Sequence, residues 1–164
     1  MGSDGIERRY TWHEPIAVLA QLEGLSPLEA LRRVASGEAP HPPIAATLGF
    51  RLVSVDPGRA VFDGEPAAWH YNVIGTVHAG FAVTMLDSAM GCALAASLDE
   101  PVPWTTLELK SNFTRAMTAE TGPVRCTGTV VHGGRTVATT EARLADVRGR
   151  LLAHATSTIL VKRA

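Results

Sequence analysis

The feature that most constrains this chain is an almost unbroken run of apolar and small residues at positions 80–98. The only other residues in this run are Thr84, Asp87, Ser88 and Ser97. A run of this length suits either a membrane span or a helix buried in a protein core. A carboxylate in mid-membrane costs about 3 kcal/mol on insertion scales, and the run is rich in alanine rather than leucine. The pattern therefore predicts a helix buried inside a water-soluble domain.

Composition and charge narrow the class of protein further. The chain has 164 residues, 46% of them hydrophobic and 19% charged, which suits one domain with a sizeable core and argues against disorder. Fifteen basic and 16 acidic residues give a net charge of −1, and aromatic residues make up only 5%, so nothing favours nucleic-acid binding. The chain has only two cysteines, and its N-terminus does not resemble a secretory leader, so we expect the protein in the reducing cytoplasm.

The near-neutral charge hides an uneven distribution. Residues 1–109 carry six basic and 13 acidic side chains, whereas residues 110–164 carry nine basic and three acidic ones. The basic third either lies on solvated strand faces or binds an anionic group such as phosphate.

The remaining pattern predicts an N-terminal helical segment followed by strands. Ser26, Pro27 and Glu29 form a helix-start signature, and Gly37 with the prolines at 40–43 ends that helix. From about Ile44 the pattern changes to strands, at 50–55, 59–62, 105–113, 124–131, 136–145 and 151–161. Short turns at 56–58, 121–123, 132–134 and 146–149 predict antiparallel neighbours. We expect an α+β fold in which about six antiparallel strands wrap one long buried helix, with residues 1–43 as an extension and 44–164 as the domain.

Polar residues lie along one stripe of the buried helix. Thr84, Asp87, Ser88 and Gly91 fall at i, i+3, i+4 and i+7. A buried carboxylate needs hydrogen-bond partners or a raised pKa. Asp87 therefore either bonds to backbone or a neighbouring threonine, or takes part in chemistry.

The segment that enters the helix contains Asn72, His78, Ala79 and Gly80. Free N–H groups and the helix dipole at such an end can hold an anion or a developing oxyanion. Ala79 and Asp87 lie eight positions apart, about 12 Å along the axis, so they cannot reach one atom together. If both act on one carbonyl group, two antiparallel helices must meet, which predicts a symmetric dimer with shared sites.

Several stretches carry a resemblance to a known family. Residues 70–80 (HYNVIGTVHAG) and 85–89 (MLDSA) closely resemble the hotdog-fold acyl-CoA thioesterases of the phenylacetate-degradation (PaaI-like) branch. Residues 105–110, 115–117, 131–135 and 151–157 are similar to the same branch, so the resemblance covers about residues 44–164. It implies a hotdog fold and hydrolysis of an acyl-CoA to a carboxylic acid and free coenzyme A, with no metal and no cofactor. It also implies a homodimer or a dimer of dimers.

The resemblance implies a role for each matching residue at the helix. Asp87 corresponds to the acidic nucleophile or general base, and Asn72 to the residue that positions the attacking water or the thioester. His78 corresponds to the residue that orders the loop. The Ala79 N–H, with Gly80 beside it, corresponds to the donor that polarises the thioester carbonyl. The usual His-Gly-Gly of the family is His-Ala-Gly here, and a backbone donor survives this change unless the position requires a positive φ.

The strands supply the remaining implied residues. Thr106, with Thr105 as the alternative if the register slips by one, corresponds to the hydroxyl that holds the water or carboxylate across the dimer. Arg135 lies in a turn where such proteins often meet the phosphates of coenzyme A.

Other functions stay open on the sequence. One is a hotdog dehydratase or hydratase acting on acyl thioesters, and another is an acyl-CoA-binding or sensing protein without hydrolysis. A hydrolase using Ser88 or Cys92 is disfavoured, because no Gly-x-Ser-x-Gly elbow surrounds Ser88 and Cys92 lies in an alanine-rich helix typical of core packing. A metal site built from His70, His78 and Asp87 fits no standard ligand spacing.

Overall fold

The structure is a computed structural model that describes residues 5–162. Its helices in this range are α1 (Pro15–Gln21), α2 (Pro27–Ser36), α3 (Pro43–Leu48) and α4 (Ala79–Ala95). Its strands are β1 (Phe50–Asp56), β2 (Arg59–Gly64), β3 (Trp104–Phe113), β4 (Val124–Gly133), β5 (Val137–Asp146) and β6 (Leu151–Val161). Two short 3₁₀ turns, Ala68–His70 and Ala119–Thr121, lie in the connections. Within residues 5–162, every helix is too short or too polar to cross a bilayer.

The strands form one antiparallel sheet in the order β1-β2-β4-β5-β6-β3. Helix α4 lies across one face of this sheet, and its side chains at Met85, Leu86, Ala89 and Met90 are fully buried there. The expected α+β fold, with one long buried helix and six antiparallel strands, is therefore confirmed.

One glycine sets how closely α4 approaches the sheet. A Cβ atom at Gly128 of β4 would lie only 2.3 Å from the carbonyl oxygen of Ala89, closer than any real contact. The helix backbone therefore rests directly on the strand, and a side chain at position 128 would push the two apart.

Helix α2 and the residues that follow it complete the same core. Ser26 caps α2 by accepting the Glu29 N–H at 3.3 Å, and the Glu29 carboxylate accepts the Ser26 N–H at 3.1 Å, the reciprocal capping box predicted from the sequence. Gly37 ends α2 in the left-handed conformation, with φ of 83°. The buried Val34 and Ala39 belong to the same apolar cluster as the sheet and α4. The extension is thus packed on the domain.

Two expectations about the strands were wrong. The strand pattern does not begin at about Ile44, because α3 occupies Pro43–Leu48, with proline at its first position and Gly49 (φ 70°) after its last. Strand β3 pairs with β6 rather than with β4, because the turn signal at 121–123 only closes a longer connection over residues 114–123. The long helix also begins at Ala79 and ends at Ala95, earlier at both ends than predicted.

Candidate active site

Asp87 lies on the side of α4 that faces β3. Thr106 of β3 donates a hydrogen bond from Oγ1 to Asp87 Oδ1 at 3.0 Å, and both residues are half-buried. No residue within 5–162 donates to the second carboxylate oxygen, Oδ2. The bond forms inside one chain, whereas the resemblance implies a contact across a dimer. The carboxylate is therefore held in one orientation by its own chain and keeps one oxygen free.

Strand alternation decides between the two candidate threonines. Side chains of successive strand residues point to opposite faces, so Thr105 and Thr106 cannot both face the helix. Thr106 faces Asp87, while Thr105 is exposed. Because β3 is the last strand of the sheet, the Asp87–Thr106 pair lies at the sheet edge.

His78 is the N-cap of α4. Its Nδ1 accepts the Gly80 N–H at 2.9 Å, which caps the first turn of the helix. The Gly80 N–H is thereby occupied. The neighbouring Ala79 N–H, in contrast, has no acceptor among residues 5–162. No non-glycine residue in that range has positive φ, so alanine fits at position 79 without backbone strain.

Asn72 organises the loop that leads to α4. Its Oδ1 accepts the N–H groups of Ile74 at 3.0 Å and Thr76 at 3.3 Å, while Nδ2 donates to Thr76 Oγ1 at 3.0 Å. These contacts use both acceptor positions of the amide and one of its two hydrogens. One Nδ2 hydrogen remains available for another partner.

His70 connects this loop to the N-terminal half of the chain. The sequence offered it only as part of a metal site that fits no standard ligand spacing. Its Nε2 donates to the Leu48 carbonyl at 2.8 Å, and its Nδ1 accepts the Ala67 N–H at 3.0 Å. Its carbonyl accepts the His78 N–H at 2.7 Å, and its ring lies 4.4 Å from that of Phe81. Burial lowers the pKa of His70, an effect partly opposed by the Leu48 carbonyl. The imidazole is therefore a neutral structural bridge.

Cys92, one of the two alternative nucleophiles on α4, is held in its thiol form. Burial, and secondarily the nearby Asp87, raise the pKa of Cys92 to about 12. A thiol with such a pKa is not ionised at neutral pH and is a poor nucleophile.

Arg135 is exposed in the turn between β4 and β5. The Val161 N–H donates to the Thr136 carbonyl at 2.8 Å, and Val161 pairs with Trp104. The Arg135 turn therefore lies at the end of the sheet where β3 begins.

The predicted residues thus form two groups. Asp87 and Thr106 meet at the sheet edge, whereas Asn72, His78 and Ala79 lie around the start of α4. The helix is continuous from Ala79 to Asp87, so the two groups lie about 12 Å apart along its axis.

Trp104 was given no role by the sequence. Its ring covers Gly91, one turn beyond Asp87, so closely that a Cβ at Gly91 would be 2.6 Å from Cη2. This contact depends on the pairing of β3 with β6, so no local sequence pattern predicts it.

Comparison with known proteins identifies the family. The profile of the thioesterase superfamily matches residues 74–153. Acyl-coenzyme A thioesterase 13 of Homo sapiens is 30% identical over 105 residues, which are 63% of this chain and 73% of that protein. The chain belongs to the thioesterase superfamily. The family and the enzyme class expected from the sequence, thioester hydrolase, are confirmed.

Two further proteins match over a larger share of both chains. A 1,4-dihydroxy-2-naphthoyl-CoA hydrolase of Listeria monocytogenes serotype 1/2a (strain 10403S) is 28% identical over 117 residues, 71% of this chain and 94% of that protein. The crystal structure of a phenylacetic acid degradation-related protein from Ralstonia eutropha JMP134 superimposes with a TM-score of 0.71 at 32% identity, covering 80% of this chain and 98% of the other. The fold of this thioesterase is the expected hotdog fold.

Proposed function

We propose that this thioesterase hydrolyses an acyl-CoA to a carboxylic acid and free coenzyme A, with Asp87 as the reacting carboxylate. The observation that carries the proposal is the hydrogen bond from Thr106 to one Asp87 oxygen, while the other oxygen has no donor among residues 5–162. Two relatives are named as acting on coenzyme A thioesters, which supports coenzyme A as the thiol part of the substrate.

The free oxygen of Asp87 can act in two ways. As a general base it takes a proton from water while the water oxygen bonds to the thioester carbon. The resulting oxyanion collapses, the carbon–sulfur bond breaks, and coenzyme A leaves as a thiolate that then takes up a proton. As a nucleophile Asp87 bonds to that carbon itself and expels the thiolate, and water then hydrolyses the mixed anhydride. Both routes give the same products.

The Ala79 N–H supplies the oxyanion donor. It has no acceptor in the described chain and lies at the positive end of the α4 dipole. In the same loop, the remaining Nδ2 hydrogen of Asn72 positions the water or thioester, and His78 orders the backbone. Arg135, at the end of the sheet where β3 begins, meets the phosphates of coenzyme A.

A second copy of the chain completes the site. Ala79 and Asp87 of one helix are about 12 Å apart, so the donor at one carbonyl comes from the partner subunit. Strand β3, which carries Thr106, is a sheet edge ten residues long with Leu107 56% exposed. Such an edge is a template for pairing with another strand. We therefore infer a homodimer, alone or as a dimer of dimers, with shared sites.

We propose that the reaction takes place in the cytoplasm. Cys92 and Cys126 are both free thiols in the structure, as in proteins of reducing compartments.

Release of free coenzyme A tests the proposed function. The purified protein is incubated with acetyl-, octanoyl- and phenylacetyl-CoA, and a thiol reagent measures the coenzyme A set free. We expect saturable release from at least one substrate, matched by an equal amount of carboxylic acid. Binding without release would indicate an acyl-CoA sensor, and a hydrated acyl group still joined to coenzyme A would indicate a hydratase. Either result contradicts the proposal.

A further inference from the structure

An apolar groove of about 910 Å³ lies between the N-terminal helices and the start of β3. Helices α1 and α2 form one wall, and the end of α4 with residues 98–104 forms the other. The principal lining residues are Ile16, Leu19, Leu22, Leu98, Val102 and Trp104. Among the described residues that line the groove, Glu23 alone carries a charge. The volume falls in the range of small-molecule sites.

The groove lies beside the candidate active site. Trp104 belongs to its wall and covers Gly91, which lies one helical turn, about 6 Å, beyond Asp87. Ala95, one turn further along the same stripe of α4, also lines the groove. On β3, Trp104 precedes Thr106 by two positions, so both side chains lie on the same face of the strand. Trp104 thus lies between the proposed reacting carboxylate and the groove.

The lining suits a neutral apolar occupant. Helix α1 buries none of its residues, and Ile16 and Leu19 are 76% and 67% exposed. Exposed apolar side chains gathered at a concave site indicate a ligand or partner surface. Glu23 disfavours the phosphates of coenzyme A, which leaves the acyl end of the substrate as the part that matches the groove.

We propose that this groove binds the acyl group, so that the N-terminal extension selects medium-chain aliphatic thioesters over short ones. The inference rests on the proposed hydrolysis at Asp87. An acetyl group at Asp87 ends before Trp104, whereas an extended chain passes Trp104 and contacts Leu19 and Leu98. Residues of α1 and α2 lie outside the part matched by the family profile, 74–153.

Calorimetric binding of two non-hydrolysable thioethers, S-ethyl-CoA and S-octyl-CoA, tests the groove without requiring turnover. We expect S-octyl-CoA to bind more tightly, by about fourfold for each methylene group that the groove buries. The double substitution Ile16→Gln with Leu19→Gln is expected to weaken S-octyl-CoA binding about tenfold and to leave S-ethyl-CoA unchanged. Both side chains are exposed on a helix without buried residues, so the fold persists. Val147→Gln, at a 73% exposed position outside the groove, is the matched control and is expected to change neither affinity.

Two outcomes overturn the proposal. One is a double variant that binds both thioethers as the wild type does, or loses affinity for both equally. The other is a change in subunit number by light scattering with S-octyl-CoA affinity intact, because the groove would then be covered by a second copy. A wild-type protein that shows the chain-length preference but releases no coenzyme A would contradict the proposed hydrolysis while leaving the groove assignment standing.

Discussion

The hydrogen bond from Thr106 to Asp87 joins the edge strand of the sheet to the long helix that crosses it. Its length is 3.0 Å, and the two residues are 19 positions apart in the chain. The bond occupies one oxygen of the carboxylate, and no residue within 5–162 donates to the other. The carboxylate that we propose to react therefore has its orientation set by the fold before any substrate arrives.

Removing the threonine hydroxyl tests this orientation. Thr106→Val is expected to lower kcat about 10- to 100-fold, the cost of losing a hydrogen bond to a charged group. Thr106→Ser keeps the hydroxyl and is expected to remain close to wild type. Thr105→Val, on the opposite face of β3, is the control. Equal rates for the variants at positions 105 and 106 would contradict a role for the bond.

Proline at position 79 removes the proposed oxyanion donor without disturbing the helix. Ala79 is the first helical residue, where proline is favoured, and His78 has the extended conformation (ψ 138°) that a residue before proline adopts. Ala79→Pro is expected to lower kcat about 100-fold or more, with unchanged circular dichroism. A rate within a few-fold of wild type would exclude this N–H as the donor.

The same variant tests whether the sites are shared. Ala79→Pro and Asp87→Asn chains are coexpressed with different affinity tags, and the mixed dimer is purified. One of its two sites then combines an intact Asp87 with an intact Ala79 from the partner, so about half of the wild-type rate is expected. A mixed dimer as inactive as its parents would show that each chain supplies both groups to its own site.

Local signals in the sequence predicted most of the fold. The capping box at Ser26, the hairpin turn at 56–58 and the boundaries of β6 are all set by near neighbours in the chain, and all are observed. Helix α3 was missed because three closely spaced prolines indicate a break, although one of them starts a helix. The pairing of β3 with β6 was also missed, because a turn signal says where the chain bends and not which strand it joins.

The candidate site also contains residues that the sequence predicted and features that it could not. Asp87 is visible in the sequence as a charge inside an apolar run, and Thr106 follows from the family resemblance. The groove at Trp104 is not visible, because it depends on three segments that are distant in sequence. Likewise, the capture of the Gly80 N–H by His78 depends on a side-chain rotamer that no residue pattern specifies.

Gly128→Ala tests the close contact between α4 and β4. The added methyl meets the Ala89 carbonyl at 2.3 Å, so we expect a loss of about 3 kcal/mol in the free energy of unfolding. Gly133→Ala on the same strand, with nothing within 4 Å of the new Cβ, is the control. Urea unfolding measures both, and equal stabilities of the two variants would contradict the packing described.

The neutral bridge at His70 predicts acid sensitivity. Burial lowers the pKa of His70 below its ordinary 6.5. Between that lowered pKa and pH 6.5, the unfolded chain therefore binds more protons at this residue than the folded chain does. Its stabilising contribution is complete above about pH 6.5 and is lost as the pH falls through the folded pKa, with a slope of at most about 1.4 kcal/mol per pH unit. Urea unfolding at several pH values is expected to show a smaller slope in His70→Gln.

His41 provides the comparison, since its pKa is also lowered, first by burial and then by Arg51. His41→Gln is expected to remove a separate part of the slope. An unchanged slope in His70→Gln would show that His70 is not the group that titrates.

The most direct measurement is the rate of coenzyme A release by Asp87→Asn, on the best substrate of the wild-type enzyme. Asparagine keeps the size of the side chain and can still accept the Thr106 hydrogen bond, but it can neither take a proton from water nor attack as a carboxylate. We predict that kcat falls by about 100- to 10,000-fold while the thermal unfolding midpoint stays close to that of the wild type. Release of coenzyme A at a near wild-type rate by this variant would contradict the assignment of Asp87 as the reacting carboxylate.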